Sequence, residues 1–253
     1  MKYTERNGNI INGWAAENSL NWTKPVDHEH FLRAKEGDYA FTLTPVKKVP
    51  EQWIRDVKGL NVLGLAAGGG QQMALLSAAG AKCTLLDISD AQLAADQVVA
   101  EREDYSITLL KGDMTEPFPF PDNTFDMIVN PVSNQYIRDV YPVFMECARV
   151  LKPGGTLLCG LPTCNYFIFD DETQRAVYSL PYDPLSNPDL YEEAIRENYT
   201  LQFSHTLEEQ IGGQLKAGLR LLDLYEDTCG EGPLHEMNIP MFIATCSVKP
   251  IIQ

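Results

Sequence analysis

The sequence predicts an α/β protein: one mostly parallel sheet with helices on both faces and a small cap. Two observations carry this. From residue 60 onward short apolar runs recur, and stretches of helical periodicity fall between most of them. A parallel pairing needs a helix to return the chain, so such alternation places helices on both faces of the sheet. The length agrees, because 253 residues that are 44% hydrophobic suit one large domain better than two independent ones.

Taken in order, residues 1–58 read as a leader or cap, rich in Trp, Asn and charge, with one helix near Glu51 to Val57. The domain proper spans 59–253. Its first strand runs from Asn61 to Ala66 and meets Ala67, Gly68, Gly69 and Gly70 before a helix over Gln71 to Ala79. A second strand, Lys82 to Asp87, precedes a helix over Ser89 to Glu103, and a third strand spans Ile107 to Lys111. The fourth, Phe125 to Asn130, leads to a helix over Tyr136 to Leu151. There Lys152 favours the carboxyl end and Pro153 stops the helix. Gly154 and Gly155 turn the chain into a fifth strand, Thr156 to Leu161. Residues 162–205 form an insertion carrying Tyr166, Phe167, Phe169, Tyr178 and Tyr182, which either close over a ligand or pack onto the domain. Thr206 with Glu209 has the capping-box spacing for a helix to Ala217, and strands at Arg220 to Tyr225 and Met241 to Val248 bring the sheet to seven. Right-handed crossovers put the carboxyl ends of the parallel strands on one edge, where the chemistry is expected.

Acidic residues outnumber basic ones by 35 to 20, a net charge of -15, so the long-range field opposes phosphate backbones and anionic membranes. The first residues lack the apolar stretch of a signal peptide, and no window has the roughly 20 apolar residues of a membrane span, so the expectation is a cytoplasmic protein without nucleic-acid or membrane partners. The six cysteines read as reduced core thiols. The run Asp27, His28, Glu29, His30 reads as a solvated polar turn and not a metal site, since no third ligand is marked and no metal is expected. His205 and His235 are isolated. Either could be a base near a substrate, but a structural role is commoner.

The glycine run decides which ligand fits. It lacks the lysine of a phosphate-binding P-loop, since Gly69 is followed by Gly70 and Gln71. It also lacks the third glycine of a dinucleotide fingerprint, since counting from Gly68 and Gly70 leads to Met73. What remains is a strand meeting bare backbone whose amides face a ligand. Asp87 ends the second strand, where a carboxylate accepts strong hydrogen bonds from a ligand or, alternatively, caps the following helix.

VLGLAAGGGQQ resembles the first motif of class I S-adenosylmethionine-dependent methyltransferases, and LLDIS, LLKGDM and RVLKPGG fall where that family places its later motifs. The last is similar to the small-molecule branch typified by ubiquinone-biosynthesis methyltransferases. The resemblance covers residues 60 to 161 well and Thr206 to Val248 more loosely. It implies a Rossmann-like seven-stranded sheet and S-adenosylmethionine as cofactor. Ala67, Gly68, Gly69, Gly70 and Gln72 would line the methionine part, Asp87 with Ile88 would hold the ribose, and Asp113 with Met114 the adenine. Asn130 and Val132 would approach the methionine end, with Ser133, Asn134, Tyr166 and Phe167 toward the substrate. Asp113 beside Gly112 alternatively shapes a turn. Asn130-Pro131-Val132-Ser133 lacks the second proline and the tyrosine of the nucleic-acid amino methyltransferases. The family's first motif carries an acid where Gly64 stands and a glycine where Ala66 stands. The expected activity is methyl transfer to a small molecule, with no catalytic base, acceptor or oligomeric state marked. A non-catalytic cofactor-binding protein and a methyltransferase acting on RNA or protein remain as alternatives.

Overall fold

The computed structural model describes residues 1–17, 22, 24–54, 56–170, 173 and 175–251. They form a seven-stranded sheet in the order β3-β2-β1-β4-β5-β7-β6. β1 (Asn61–Leu65) is central, parallel to β2 (Lys82–Asp87) on one side and to β4 (Phe125–Asn130) on the other. β3 (Thr108–Lys111) extends the sheet beyond β2, and β5 (Leu151–Pro162) extends it beyond β4. β7 (Phe242–Val248) runs antiparallel to both β5 and β6 (Arg220–Asp227). The Rossmann-like, mostly parallel sheet is therefore present. After β1 the strands are laid first to one side and then to the other, and this reversal opens a crevice at their carboxyl ends.

The central strands are buried almost throughout, as parallel strands covered on both faces must be. Alternate residues feed two cores. Val62, Leu85, Met127, Val129 and Leu158 meet α4 (Gln72–Ala78) and the leader's Phe41, Leu43, Val49 and Trp53. Leu63, Leu65, Ile128, Leu157 and Leu161 meet Val143, Phe144 and Cys147 of α6 (Tyr141–Val150). α5 (Asp90–Glu103) is capped by Ser89, whose hydroxyl accepts from the Gln92 amide, so Ser89 and not Asp87 is the N-cap. α9 (Leu207–Lys216) carries the expected capping box of Thr206 and Glu209.

Four expectations need correction. Among its described residues the leader holds three helices instead of one: α1 (Tyr3–Glu17), α2 (His28–Lys35) and α3 (Glu51–Ile54), and α3 is shorter than expected, with Arg55 outside the described residues. α1 escaped detection because its buried face includes Thr4, Asn7 and Gly8 beside Ile10 and Ile11, so no apolar stripe marks it. The Asp27 to His30 run is the start of α2: Asp27 caps it by accepting from the His30 amide, and His28 pairs with Glu103. The helix expected from Tyr136 begins at Tyr141. Asn134–Tyr136 is a 3-10 turn, and the Pro142 ring and the Asp139 carboxylate, which accepts from the Tyr141 amide, set the later start. β5 starts at Leu151, with Lys152 to Gly155 forming an irregularity inside it, and Lys152 pairs with Asp126 at 2.8 Å instead of facing a helix end.

The insertion contributes α7 (Asn165–Ile168) and α8 (Pro188–Arg196), and α10 (Gly232–Glu236) was not foreseen. The leader and the end of the insertion are clipped together. Asn7 donates to the Leu201 carbonyl and accepts from the Leu201 amide, both at 2.8 Å, and Tyr3 meets Phe203 edge-on. Among the described residues no helix is long and apolar enough to cross a membrane, and all six cysteines are free thiols.

Candidate cofactor-binding site

A cavity of about 770 Å³ opens at the carboxyl ends of β1, β2 and β4, bordered by α1, residues 42–46, residues 229–231 and Tyr166 of the insertion. Its floor begins at the turn after β1. Ala66 takes a left-handed φ of +48°, and its amide donates to the Leu86 carbonyl. The turn that a glycine would make without strain is thus made by alanine, at a cost of about 1–2 kcal/mol. Gly64 also has its reason: a Cβ there would lie 2.7 Å from the Met73 sulfur, so the methionine occupies the room an acidic side chain would need.

Gly68 then crosses close to β2. A Cβ on it would meet Gln92 Cβ at 2.7 Å and Asp87 Oδ2 at 2.9 Å, so only glycine lets the chain pass. The Gly68 amide donates to Asp87 Oδ2 (3.0 Å), and the Ser89 amide donates to Asp87 Oδ1 (2.9 Å). Burial pushes the Asp87 carboxyl above its ordinary pKa, and the amides of Ser89, Gly68 and Ile88 partly offset this. Each Asp87 oxygen still has a lone pair for a hydroxyl. Asp113 Oδ1 accepts from the amide and hydroxyl of Thr115, so the acid shapes its turn while also lining the cavity.

Of the residues expected at the site, Gly68, Gln72, Asp87, Ile88, Asp113, Met114, Val132, Ser133 and Tyr166 line this cavity. The others lie off its wall. Ala67 is buried in the core. Gly69 and Gly70 turn their amides away, to Asp96. Asn130 is buried and braces the floor, donating to the Leu65 carbonyl and the Ser133 hydroxyl. Asn134 is fully buried facing Gln210, and Phe167 meets Tyr166 edge-on and Tyr182 at a tilt. His205 is held by the carbonyls of Asn134 and Ile137, and His235 by Thr228.

Sequence reasoning missed much of the wall. Thr4, Asn7 and Ile11 of α1 face the cavity, as do Thr42 to Val46, Gln92, Gln135, Tyr136 and Phe242. Only Gln92, one turn into the helix after Asp87, had a positional cue. Three of the missed side chains hold buried oxygens without a hydrogen-bond partner among the described residues: Thr4 Oγ1, Gln92 Oε1 and Gln135 Oε1. Burial raises the Tyr136 pKa, with Tyr166 adding to it, so this phenol stays protonated.

The carboxylates of Asp87 and Asp113 on the cavity wall suit a ligand rich in donors. S-adenosylmethionine brings an ammonium, two ribose hydroxyls and an adenine amine, and the residues present fit it. The fold and this edge therefore define an α/β protein that takes a nucleoside-bearing cofactor. The comparisons with known proteins narrow the class. A methyltransferase domain model matches residues 63–159. The chain is 40% identical to an uncharacterised methyltransferase, YbaJ, of Bacillus subtilis, over 92% of this chain and 93% of that one. It is 31% identical to a demethylmenaquinone methyltransferase of Mycolicibacterium paratuberculosis, over 72% and 77%. Its fold matches that of an S-adenosylmethionine-dependent methyltransferase from Mesorhizobium loti with a TM-score of 0.63 and 17% identity, over 78% and 94%. The chain belongs to the class I S-adenosylmethionine-dependent methyltransferases.

Proposed function

We propose that the enzyme methylates a small-molecule acceptor enclosed between the strand edge and the cap made by residues 1–58 and the insertion. The observation that carries this reading is the character of the cavity wall. The described residues lining it include the acids Asp87, Asp113 and Glu231 and no Lys, Arg or His, while Thr4, Asn7 and Ile11 of α1 and Tyr166 of the insertion complete the wall. A phosphate backbone would meet only negative charge there.

When bound, S-adenosylmethionine would supply a methyl carbon open to in-line attack by the acceptor's nucleophile, the S–CH3 bond breaking so that the sulfur leaves as the neutral thioether of S-adenosylhomocysteine. The chain's own part is to bind, orient and exclude water. In this reading Gly68 offers bare backbone to the methionine part, Asp87 accepts from the ribose hydroxyls, and Asp113 accepts from the adenine amine between Ile88 and Met114. Val132, Ser133 and Tyr166 border the acceptor, and the protonated Tyr136 phenol donates a hydrogen bond to it. The two histidines, tied to carbonyls and to Thr228, are not placed as bases.

The test offers methyl-labelled cofactor and enzyme with three pools: a small-metabolite extract, RNA and unfolded protein. Label in the metabolite pool is the expected result. Label only in RNA or protein would refute the small-molecule reading.

A further inference from the structure

Under the glycine turn, on the side away from the cavity, a carboxylate is buried with no ion pair to a cation among the described residues. Asp96 of α5 has no exposed surface, and its Oδ2 accepts from the amides of Gly69 (2.8 Å) and Gly70 (2.9 Å). Its Oδ1 is buried too and makes no hydrogen bond among the described residues. Gly69 (φ +115°) and Gly70 (φ +68°) are both left-handed, a backbone that aims successive amides at one anion. Such nests usually receive a ligand's negative charge. Here the protein's own acid fills it, so the turn's remaining polar surface toward the cavity is that of Ala66 to Gly68.

We propose that Asp96 is a positioning residue for the cofactor: its carboxylate fixes the Gly69-Gly70 backbone in the shape that presents Gly68 to the cavity, and its negative charge favours the cationic cofactor. The proposal rests on the reading that the cofactor lies on this turn. A sulfonium and an ammonium together outweigh one carboxylate, so a buried anion beneath the turn attracts the whole molecule. The acid at this place also supplies an anchor that position 64, filled by Gly64 and Met73, does not.

Burial pushes the Asp96 carboxyl up to about 7, the amides of Gly70 and Gly69 pull it back, and Asp87 raises it again. Its titratable neighbours are Asp87 and Cys83 on β2 and Tyr105 beyond α5. Burial holds the Cys83 thiol up at about 12 and raises the Tyr105 phenol, so neither ionises near neutrality. α4 places Ala74 and Ser77 on this side, and the leader places Pro25, Val26 and Phe31, all uncharged. The leader's His28 and the helix's own Arg102 face Glu103.

Because the folded value lies above the ordinary 3.8, the folded state holds a proton through the window from 3.8 to about 7 that the unfolded chain releases. Stability therefore falls as pH rises through that window, and above it the ionised Asp96 is a cost to folding. Cofactor affinity has the opposite slope, rising as Asp96 ionises.

Asp96→Asn keeps the shape and removes the charge. Calorimetric titration with S-adenosylmethionine at pH 8 should give an affinity about tenfold weaker than wild type. The rise in wild-type affinity from pH 6 to pH 8 should shrink in the variant, and S-adenosylhomocysteine, without the sulfonium, should show a smaller rise in both proteins. The variant should also melt higher than wild type at pH 8, which a merely structural hydrogen-bonding role would not produce. Wild-type affinity with an unchanged pH profile in the variant would overturn the proposal. Should the variant not fold, a flat wild-type profile between pH 6 and pH 8 would overturn it equally. Failure of the underlying reading is separable, because Gly68→Ala would then also bind the cofactor normally.

Discussion

The floor of the cavity, from β1 to the turn after β4, is shaped by main chain: Gly68 passes within reach of Asp87, Ala66 donates to Leu86, and the Gly112 amide donates to the Asp87 carbonyl. The roof is shaped by side chains that clip α1 to the end of the insertion and to the turn after β4, with Asn7 bridging Leu201 and Tyr136 and Arg6 donating to the Ala194 carbonyl. The comparison teaches that ligand geometry and ligand enclosure are separable properties here. Geometry is built into the sheet edge, and enclosure into contacts some 190 positions apart in sequence.

The hardest way to break the floor is Gly68→Ala. The added Cβ cannot coexist with Gln92 and Asp87, so the turn must move, at or above the ~1–3 kcal/mol typical of overpacking. Titration calorimetry should show cofactor binding lost while circular dichroism shows the fold retained. Asp87→Ala comes next. Removing charged hydrogen bonds to ribose should weaken binding by ~1.5–3 kcal/mol, read by the same titration. Unchanged affinity would remove Asp87 from the site.

Breaking the roof should look different. Asn7→Ala removes three hydrogen bonds and should lower stability by ~1–3 kcal/mol in urea denaturation, with a smaller effect on cofactor affinity than Asp87→Ala. Hydrogen exchange should quicken in α1 and residues 194–203 and stay slow in β1 and β2. If cofactor affinity instead collapsed as in Asp87→Ala, the separation of floor and roof would be wrong. The smallest effect is expected for Lys152→Ala, far from the cavity. Its pair with Asp126 is part-exposed and should contribute only ~0.2–1 kcal/mol to the melting transition.

The same division explains what could be read from the chain. The floor was legible because it is written in apolar runs of strand length, a glycine turn, and acids placed at strand ends, all of which constrain nearby backbone. Those signals point to Gly68 and Asp87 and the family resemblance to Asp113, and all three line the cavity. Gly69 and Gly70 sit in the same motif yet turn their amides to Asp96, a residue the motif does not mention, and Ala67 packs into the core. Asn130 and Asn134 were close in sequence to the cavity but turn inward to satisfy buried carbonyl, hydroxyl and amide groups. The roof was not legible. α1 covers a polar space with Thr4 and Asn7, so it has no apolar stripe, and its partners lie in an irregular stretch that no periodicity marks. Thr42 to Val46 likewise reach the cavity through contacts distant in sequence: the Leu43 carbonyl accepts from the Val132 amide, and Asp227 accepts from the Thr44 hydroxyl and the Val46 amide.

The central claim is that the sheet edge holds the nucleoside by Asp87 and Asp113 over an open glycine turn. A crystal structure of the protein with S-adenosylhomocysteine tests it most directly. The account predicts both ribose hydroxyls on the Asp87 carboxylate and the adenine ring between Ile88 and Met114. A nucleoside bound elsewhere, or a turn at Gly68 covered by side chains, would contradict it.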